Sequence, residues 1–185
     1  MDVSFYDLGV DPGLVQILED QGISEPFEVQ KEAIPDAMLG NDICCRAPTG
    51  SGKTLAFGLP LISRTPRAEP EYPTSLVLSP TRELAEQISS VLTPLAATFD
   101  LEVLAIYGGV SYGRQRKALS RGVDIVVACP GRLLDLLEHG ALSLENVSAV
   151  VLDEADRMAD MGFMEPVCDI LSRCAPNRQT VLFSA

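Results

Sequence analysis

Short aliphatic runs without polar alternation recur along the chain from residue 42 onwards. The runs SLVLS, DIVVAC and SAVVLD are rich in Val, Leu and Ile, which is typical of strands buried on both faces of a parallel sheet. We predict six strands on this pattern, over residues 42–47, 75–79, 101–107, 124–128, 149–153 and 180–183.

Segments with helical periodicity separate these strands. In residues 81–99, for example, Leu84, Ile88 and Leu95 belong to one apolar stripe at helical spacing. The proline-rich residues 65–73 (TPRAEPEYP) indicate a surface loop. Strand–helix alternation predicts right-handed crossovers and a three-layer α/β domain, with a mostly parallel sheet flanked by helices on both faces. The predicted helices cover residues 13–20, 29–39, 54–64, 81–99, 112–121, 132–138 and 161–174.

Length and composition indicate an ordinary globular protein. The 185 residues suit one domain with a short appendage, and 46% of them are hydrophobic. We find no apolar run approaching the roughly 20 residues that span a bilayer, and the acidic N-terminus lacks the basic region of a secretory signal. We therefore expect a cytoplasmic protein without a membrane partner. The five cysteines form no C-x-x-C pair and His139 is the only histidine, so we expect neither zinc nor a disulfide.

The net charge of −12 limits how the chain can bind nucleic acid. Proteins that bind nucleic acid mainly by neutralising phosphates usually carry a basic surface. Any nucleic-acid contact of this chain must therefore be local, weak or helped by another domain.

The strongest local motif, APTGSGKT, begins at Ala47 and lies between a predicted strand and a predicted helix. This is the context of a phosphate-binding loop, in which backbone N–H groups and the helix N-terminus face an anion. Ala47 takes the place of the usual first glycine. We expect Lys53 to reach the β- and γ-phosphates and the Thr54 hydroxyl to ligate Mg²⁺. The residues expected to bind nucleotide through this loop are Ala47, Thr49, Gly50, Ser51, Gly52, Lys53 and Thr54.

A second motif, VVLDEAD, places two carboxylates at the end of a later strand. Asp153 is predicted to bind Mg²⁺, since a carboxylate at a strand tip in the same sheet is where phosphate-loop enzymes hold their metal. Glu154 is predicted to orient and deprotonate the water that attacks the γ-phosphate. We accordingly expect Lys53, Asp153 and Glu154 to form the catalytic group.

Together these motifs resemble the DEAD-box RNA helicases, because residues 153–156 spell D-E-A-D. The resemblance implies a RecA-like domain. Residues 22–30 (GISEPFEVQ) are similar to the family's Q motif, in which Gln30 would read the adenine edge. Phe5 stands at the family's upstream aromatic position, where it would stack on the base. The family usually has Thr-Pro or Ser-Pro where this chain has Phe27 and Glu28.

Three further motifs are similar to those that hold RNA in the family. Each follows a predicted strand, and their backbone N–H groups and arginines suit phosphates without reading sequence. Cys129 stands where the family has threonine. The resemblance implies sequence-independent RNA contacts from Pro80, Thr81 and Arg82, from Gly108 and Gly109, and from Pro130, Gly131 and Arg132.

The resemblance also implies a division of the chain. Residues 1–40 would be a Q-motif flank packed on the domain, and residues 41–185 the first RecA-like ATP-binding domain. Because the last residues resemble a Ser-Ala-Thr motif cut before its threonine, we expect a fragment that lacks the second such domain. Asp156, Ser184 and Ala185 would couple the two domains.

The sequence leaves three functional hypotheses open. The first is the ATP-binding lobe of an RNA helicase that uses ATP and Mg²⁺, here a monomeric fragment that binds nucleotide but hydrolyses little, because the second domain supplies the arginine finger. The second is a nucleotide-switched module that binds a protein partner without unwinding RNA, which the acidic charge would suit. The third is a DNA-directed motor, which the Q motif and the D-E-A-D sequence disfavour.

Overall fold

Six strands form one parallel sheet in the computed structural model, which describes residues 3–185. Their order is β1-β6-β5-β2-β4-β3, and every neighbouring pair is parallel. The structure confirms the six predicted strands and the parallel sheet. The strands are β1 (Ile43–Arg46), β2 (Ser75–Leu78), β3 (Val103–Ile106), β4 (Ile125–Ala128), β5 (Ala149–Leu152) and β6 (Gln179–Ser184).

Helices cover both faces of the sheet, which confirms the predicted three layers. They are α1 (Pro12–Asp20), α2 (Glu28–Met38), α3 (Lys53–Arg64), α4 (Arg82–Ala96), α5 (Tyr112–Leu119), α6 (Pro130–Glu138), α7 (Ala155–Asp160) and α8 (Met164–Ser172). One apolar core contains buried side chains of α1–α4, namely Leu14, Ile34, Phe57 and Ile88. The second core contains buried side chains of α5–α8, namely Leu119, Leu133, Met158 and Ile170. None of the helices in residues 3–185 has the length and apolar character to cross a membrane.

The predicted helix over residues 161–174 is partly wrong. Gly162 has a φ of 80°, which interrupts a right-handed helix, and α8 begins only at Met164. The structure instead has two short helices in this region, and the sequence analysis did not predict α7. A helix of six residues offers too few turns for an apolar stripe to show.

The segment before α1 packs into the domain. Phe5, Leu8 and Val10 are buried and belong to the same core as Phe57. Asp11 then caps α1, because its carboxylate accepts a hydrogen bond from the Gly13 N–H at 2.7 Å. The N-terminal segment and α3 therefore contribute to the same apolar core.

The parallel strands place five loops and Ala185 along one edge of the sheet. Chain direction is the same in every strand, so the residues that follow β1 to β6 all emerge at the strands' carboxyl ends. Every motif of the sequence analysis that follows a strand therefore lies on this edge.

Candidate functional site

The loop between β1 and α3 depends on two glycines with left-handed backbone. Gly50 has a φ of 81° and Gly52 a φ of 86°, a region that costs other residues roughly 1–2 kcal/mol. A Cβ on Gly52 would also lie 2.5 Å from Nε2 of Gln30. The Ala47 N–H donates to the Ser184 carbonyl at 2.9 Å, which ties the start of the loop to β6. The motif read as a phosphate loop thus has a fixed shape against its neighbours.

Two buried polar groups in this loop lack a hydrogen-bond partner within residues 3–185. The Lys53 ammonium and the Ser51 hydroxyl are buried and make no hydrogen bond. Burying such groups unpaired is costly, and an anion with several acceptor oxygens would satisfy both. The loop therefore carries two unsatisfied donors that suit the phosphates of a nucleotide, an observation independent of the motif.

Asp153, at the end of β5, faces Lys53. Its Oδ1 lies 4.0 Å from the Lys53 Nζ, and both side chains are less than a tenth exposed. Burial raises the pKa of Asp153, while the Lys53 charge opposes that rise. The Lys53 charge does not fully offset the cost of burying this carboxylate, so a further cation nearby would stabilise its charged form. With the half-buried hydroxyl of Thr54 at the first turn of α3, the oxygen donors present suit Mg²⁺.

Glu154 lies beside Asp153 in a strained conformation. Its φ is 50° and its ψ is 49°, so this non-glycine residue is held in the left-handed region, which costs of order 1–3 kcal/mol. Its N–H donates to Oδ1 of Asp153 at 3.0 Å, and its Oε2 lies 3.4 Å from Nη1 of Arg157. The turn therefore places the predicted metal ligand and the predicted base side by side.

Gln30 joins α2 to the phosphate loop. Its Oε1 accepts from the Phe27 N–H at 2.8 Å, and its Nε2 donates to the Gly52 carbonyl at 3.0 Å. The residue is 1% exposed. Beside it lies an open groove of about 310 Å³, whose lining residues include Ile23, Glu25, Phe27, Gln30, Gly52 and Leu55. This groove adjoins the phosphate loop, because Gly52 is among its lining residues.

The structure does not bring Phe5 to this groove. Phe5 is 1% exposed and lies in the apolar core, so its ring would have to leave the core to stack on a base. Phe27 is instead 61% exposed at the groove. Sequence reasoning also missed Ile23 and Leu55, which line the same groove. Their roles depend on how α2 and α3 approach each other, and no local motif reveals that approach.

Arg82 contacts two side chains that lie outside the motifs recognised in the sequence. Its Nε lies 3.3 Å from Oε1 of Glu86, and its guanidinium carbon lies 4.9 Å from the centre of the Tyr107 ring. The Tyr107 hydroxyl donates to the same Glu86 oxygen at 2.6 Å. This hydrogen bond lowers the pKa of Glu86 and raises that of Tyr107. Arg82 also approaches the glycine pair, since a Cβ on Gly109 would lie 3.5 Å from its Nη1.

Arg132 is largely occupied by contacts within the chain. Its Nη1 donates to the Val110 carbonyl and to Oε1 of Gln115, both at 3.0 Å, and its side chain is 18% exposed. It therefore fixes the loop after the glycine pair against α5. Gly108, Gly109 and Gly131 are exposed, whereas the prolines of the two neighbouring motifs, Pro80 and Pro130, are buried. Thr81 caps α4 by accepting from the Leu84 N–H at 3.3 Å.

The end of β6 connects two parts of the site. The Ala185 N–H donates to Oδ1 of Asp156 at 3.4 Å, while the Ser184 carbonyl accepts from Ala47 in the phosphate loop. Arg46, which the sequence analysis did not single out, donates through Nε to the Ala185 carbonyl at 3.1 Å. The structure thus brings Asp156, Ser184 and Ala185 together at the phosphate loop.

Comparison with known proteins agrees with this arrangement. A family model described as DEAD/DEAH box helicase matches residues 27–185. The RNA helicase CrhR of Synechocystis sp. is 45% identical over 183 residues, which cover 98% of this chain and 37% of that protein. The ATP-dependent RNA helicase DeaD of Escherichia coli is 44% identical over 187 residues, which cover 100% of this chain and 29% of that protein.

A solved structure is also similar along the whole chain. The crystal structure of a DEAD box protein from Methanococcus jannaschii superposes with a TM-score of 0.92 and 36% sequence identity. The superposition covers 100% of this chain and 51% of that chain. This likeness confirms the predicted RecA-like fold. The chain spans only 37% and 29% of the length of the two curated relatives.

Proposed function

Because the chain belongs to the DEAD/DEAH box helicase family, we propose that it is the ATP-binding lobe of an ATP-dependent RNA helicase. The observation that carries the proposal is the buried, unpartnered ammonium of Lys53 at 4.0 Å from the buried carboxylate of Asp153. The Lys53 ammonium can bind phosphates and the Asp153 carboxylate can bind a metal ion, at the same end of the sheet.

The nucleotide is held through two sets of groups in this proposal, one for its phosphates and one for its base. Lys53 and Ser51 bind the β- and γ-phosphates, because their buried donors have no other partner within the described chain. The base enters the groove beside Gln30. The Gln30 amide uses one acceptor and one donor position within the protein, so one of each remains for the complementary edge of adenine.

Chemistry at the γ-phosphate belongs to the turn after β5. Thr54 and Asp153 would hold Mg²⁺, which supplies charge neutralisation at the phosphate oxygens. Glu154 orients the attacking water and accepts its proton. The strained turn holds the backbone of Glu154 against Asp153, and Arg157 contacts its carboxylate.

RNA binds along the same edge, on the loops after β2, β3 and β4. Arg82, the glycine pair and the start of α6 contact the sugar–phosphate backbone without reading bases. The contact is local, as the net charge of −12 requires. Asp156, Ser184 and Ala185 transmit the nucleotide state to a second RecA-like domain of the longer protein, with residues 1–40 as the flank of the first.

Hydrolysis by this chain alone should be very slow. An arginine finger contributes roughly 10³–10⁵ to the rate of phosphoryl transfer, and we propose that the second domain supplies it. We further propose that the lobe is a monomer and acts in the cytoplasm.

The proposal is tested by following ATP hydrolysis during titration with single-stranded RNA. The protein tested carries this chain together with the second domain. We expect RNA to stimulate hydrolysis, and we expect Glu154→Gln to remove the stimulated rate while nucleotide still binds. If RNA leaves the rate unchanged, the nucleotide-switched protein-binding module becomes the better explanation.

A further inference from the structure

Helix α5 carries a concentration of positive charge that the proposed function does not yet use. Four of the chain's 14 Lys and Arg residues lie within ten positions, at Arg114, Arg116, Lys117 and Arg121. All four are exposed. Residues 103–123 contain no Asp or Glu, although the chain as a whole has 26 acidic residues. This local excess of positive charge therefore stands out in an acidic protein.

None of these four residues forms an ion pair within residues 3–185. The pairs found there involve other cations, such as Arg82, Arg132 and Arg173. Attraction to the helix dipole can explain basic residues in the last turn of α5, but it disfavours Arg114 in the first turn. Arg121 lies two residues beyond the helix end. Helix stability alone therefore does not account for the cluster.

Arg114 and Lys117 share one side of α5, and Arg121 follows in the turn that continues from its end. Arg114, Lys117 and Arg121 follow the spacing i, i+3, i+7, and the buried Gln115 and Leu119 lie on a different side. We call these three residues the α5 basic stripe. At 1.5 Å per residue the stripe is about 10 Å long, enough to face two or three phosphates of a nucleic-acid strand.

The stripe is connected rigidly to the candidate RNA-binding loops. The N-cap of α5 is Ser111, two residues after the glycine pair. Gln115 donates to the Tyr107 carbonyl at 3.2 Å and accepts from Arg132 at 3.0 Å. The helix therefore begins at the loop where the RNA backbone is expected and runs away from it.

We propose that the α5 basic stripe is a second contact surface for RNA, which binds the sugar–phosphate backbone beyond the glycine pair. The inference rests on the proposed function, because it takes RNA as the partner. Charge complementarity and continuity with the loops after β3 and β4 support this occupant. The contact is electrostatic and independent of sequence.

The test is fluorescence anisotropy of a labelled oligouridylate, titrated at several salt concentrations with the protein that carries this chain together with the second domain. We compare wild type with a triple variant, Arg114→Gln, Lys117→Gln and Arg121→Gln. Each phosphate contact contributes about 0.7 to the slope of log affinity against log salt for a single strand. We expect the triple variant to lose about 2 in slope and to bind about tenfold or more weakly at low salt.

A matched control removes one charge elsewhere. Arg64 is also exposed and is not in an ion pair with any described residue, but it lies at the end of α3, which packs into the other apolar core. Arg64→Gln should leave the slope unchanged. Arg114→Lys should retain binding, because the contact needs charge rather than a guanidinium. Equal ADP affinity of wild type and the triple variant checks that the fold is intact.

Two results overturn the inference in distinguishable ways. If the triple variant matches wild type while Arg82→Gln weakens binding, the stripe is not an RNA surface but the proposed function stands. If wild type itself does not bind RNA, both proposals fail.

Discussion

Replacing Gln30 with alanine separates base recognition from support of the phosphate loop. We predict that Gln30→Ala weakens ADP binding by roughly 5- to 150-fold, which corresponds to 1–3 kcal/mol for one bidentate contact to adenine. GDP binding, already poor, should lose only the smaller contribution that Gln30 makes by supporting the phosphate loop.

The hydrogen bonds of Gln30 explain this selectivity. A side-chain amide has two acceptor and two donor positions, and Phe27 and Gly52 occupy one of each. The remaining acceptor and donor match N6 and N7 of adenine. Guanine presents two acceptors at the same edge, so the Gln30 carbonyl oxygen would face O6 without a proton between them.

The same variant should also destabilise the protein. Removing the buried amide leaves the Phe27 N–H and the Gly52 carbonyl without this partner, at a cost of about 1–3 kcal/mol in the free energy of unfolding. Loosening of the loop should weaken binding of phosphates as well, but only by about one hydrogen bond, 0.5–1.5 kcal/mol.

Calorimetric titrations with ADP, GDP and pyrophosphate distinguish these effects, because pyrophosphate has no base. Urea unfolding of the same proteins measures the loss of stability. Gln87→Ala, at an exposed position of α4, serves as the control and should change neither. Equal losses for ADP and GDP, or an equal loss for pyrophosphate, would refute base reading by Gln30 and leave it as a structural residue.

Three further predictions concern ionisable groups. Burial raises the pKa of Asp153, so the folded protein holds this proton to a higher pH than the unfolded chain, for which the value is 3.8. The stability of wild type relative to Asp153→Asn should therefore fall as pH rises above about 4, and urea titrations showing a rise would contradict this. Glu86→Gln removes the ion-pair partner of Arg82, so RNA binding should tighten and the slope of log affinity against log salt should steepen by about 0.7. An unchanged slope in anisotropy titrations would contradict this prediction. Burial raises the pKa of Cys129 to about 11, so iodoacetamide near neutral pH should modify the exposed Cys44 faster than Cys129. Mass spectrometry measures the two rates, and equal rates would be inconsistent with the structure.

The sequence predicts the sheet well because buried parallel strands have a composition of their own. The runs that became β2, β4 and β5 are continuous stretches of aliphatic residues, and the structure buries all four residues of each strand. Helix α7 was missed for the opposite reason. It begins at a left-handed Glu154 and has six residues, so neither a cap signal nor a period marks it.

Parts of the site that depend on long-range packing could not be predicted. Local sequence does not show that Phe5 enters the core, because burial depends on how the N-terminal segment meets α3. Nor does it show that the Tyr107 hydroxyl, 21 positions away, meets Glu86. The phosphate loop and the D-E-A-D turn were readable because their chemistry depends on residues adjacent in the chain.

In the proposed mechanism, Glu154 lowers the stability of the fold through its left-handed backbone and supplies the carboxylate that catalysis needs. Glycine adopts this conformation without the roughly 1–2 kcal/mol that other residues lose, so Glu154→Gly would relieve strain while removing the carboxylate. A population evolving for heat resistance alone would thus be drawn towards glycine here. Retention of glutamate where heat resistance and function are selected together would indicate that the carboxylate, which nucleotide binding does not need, contributes to fitness.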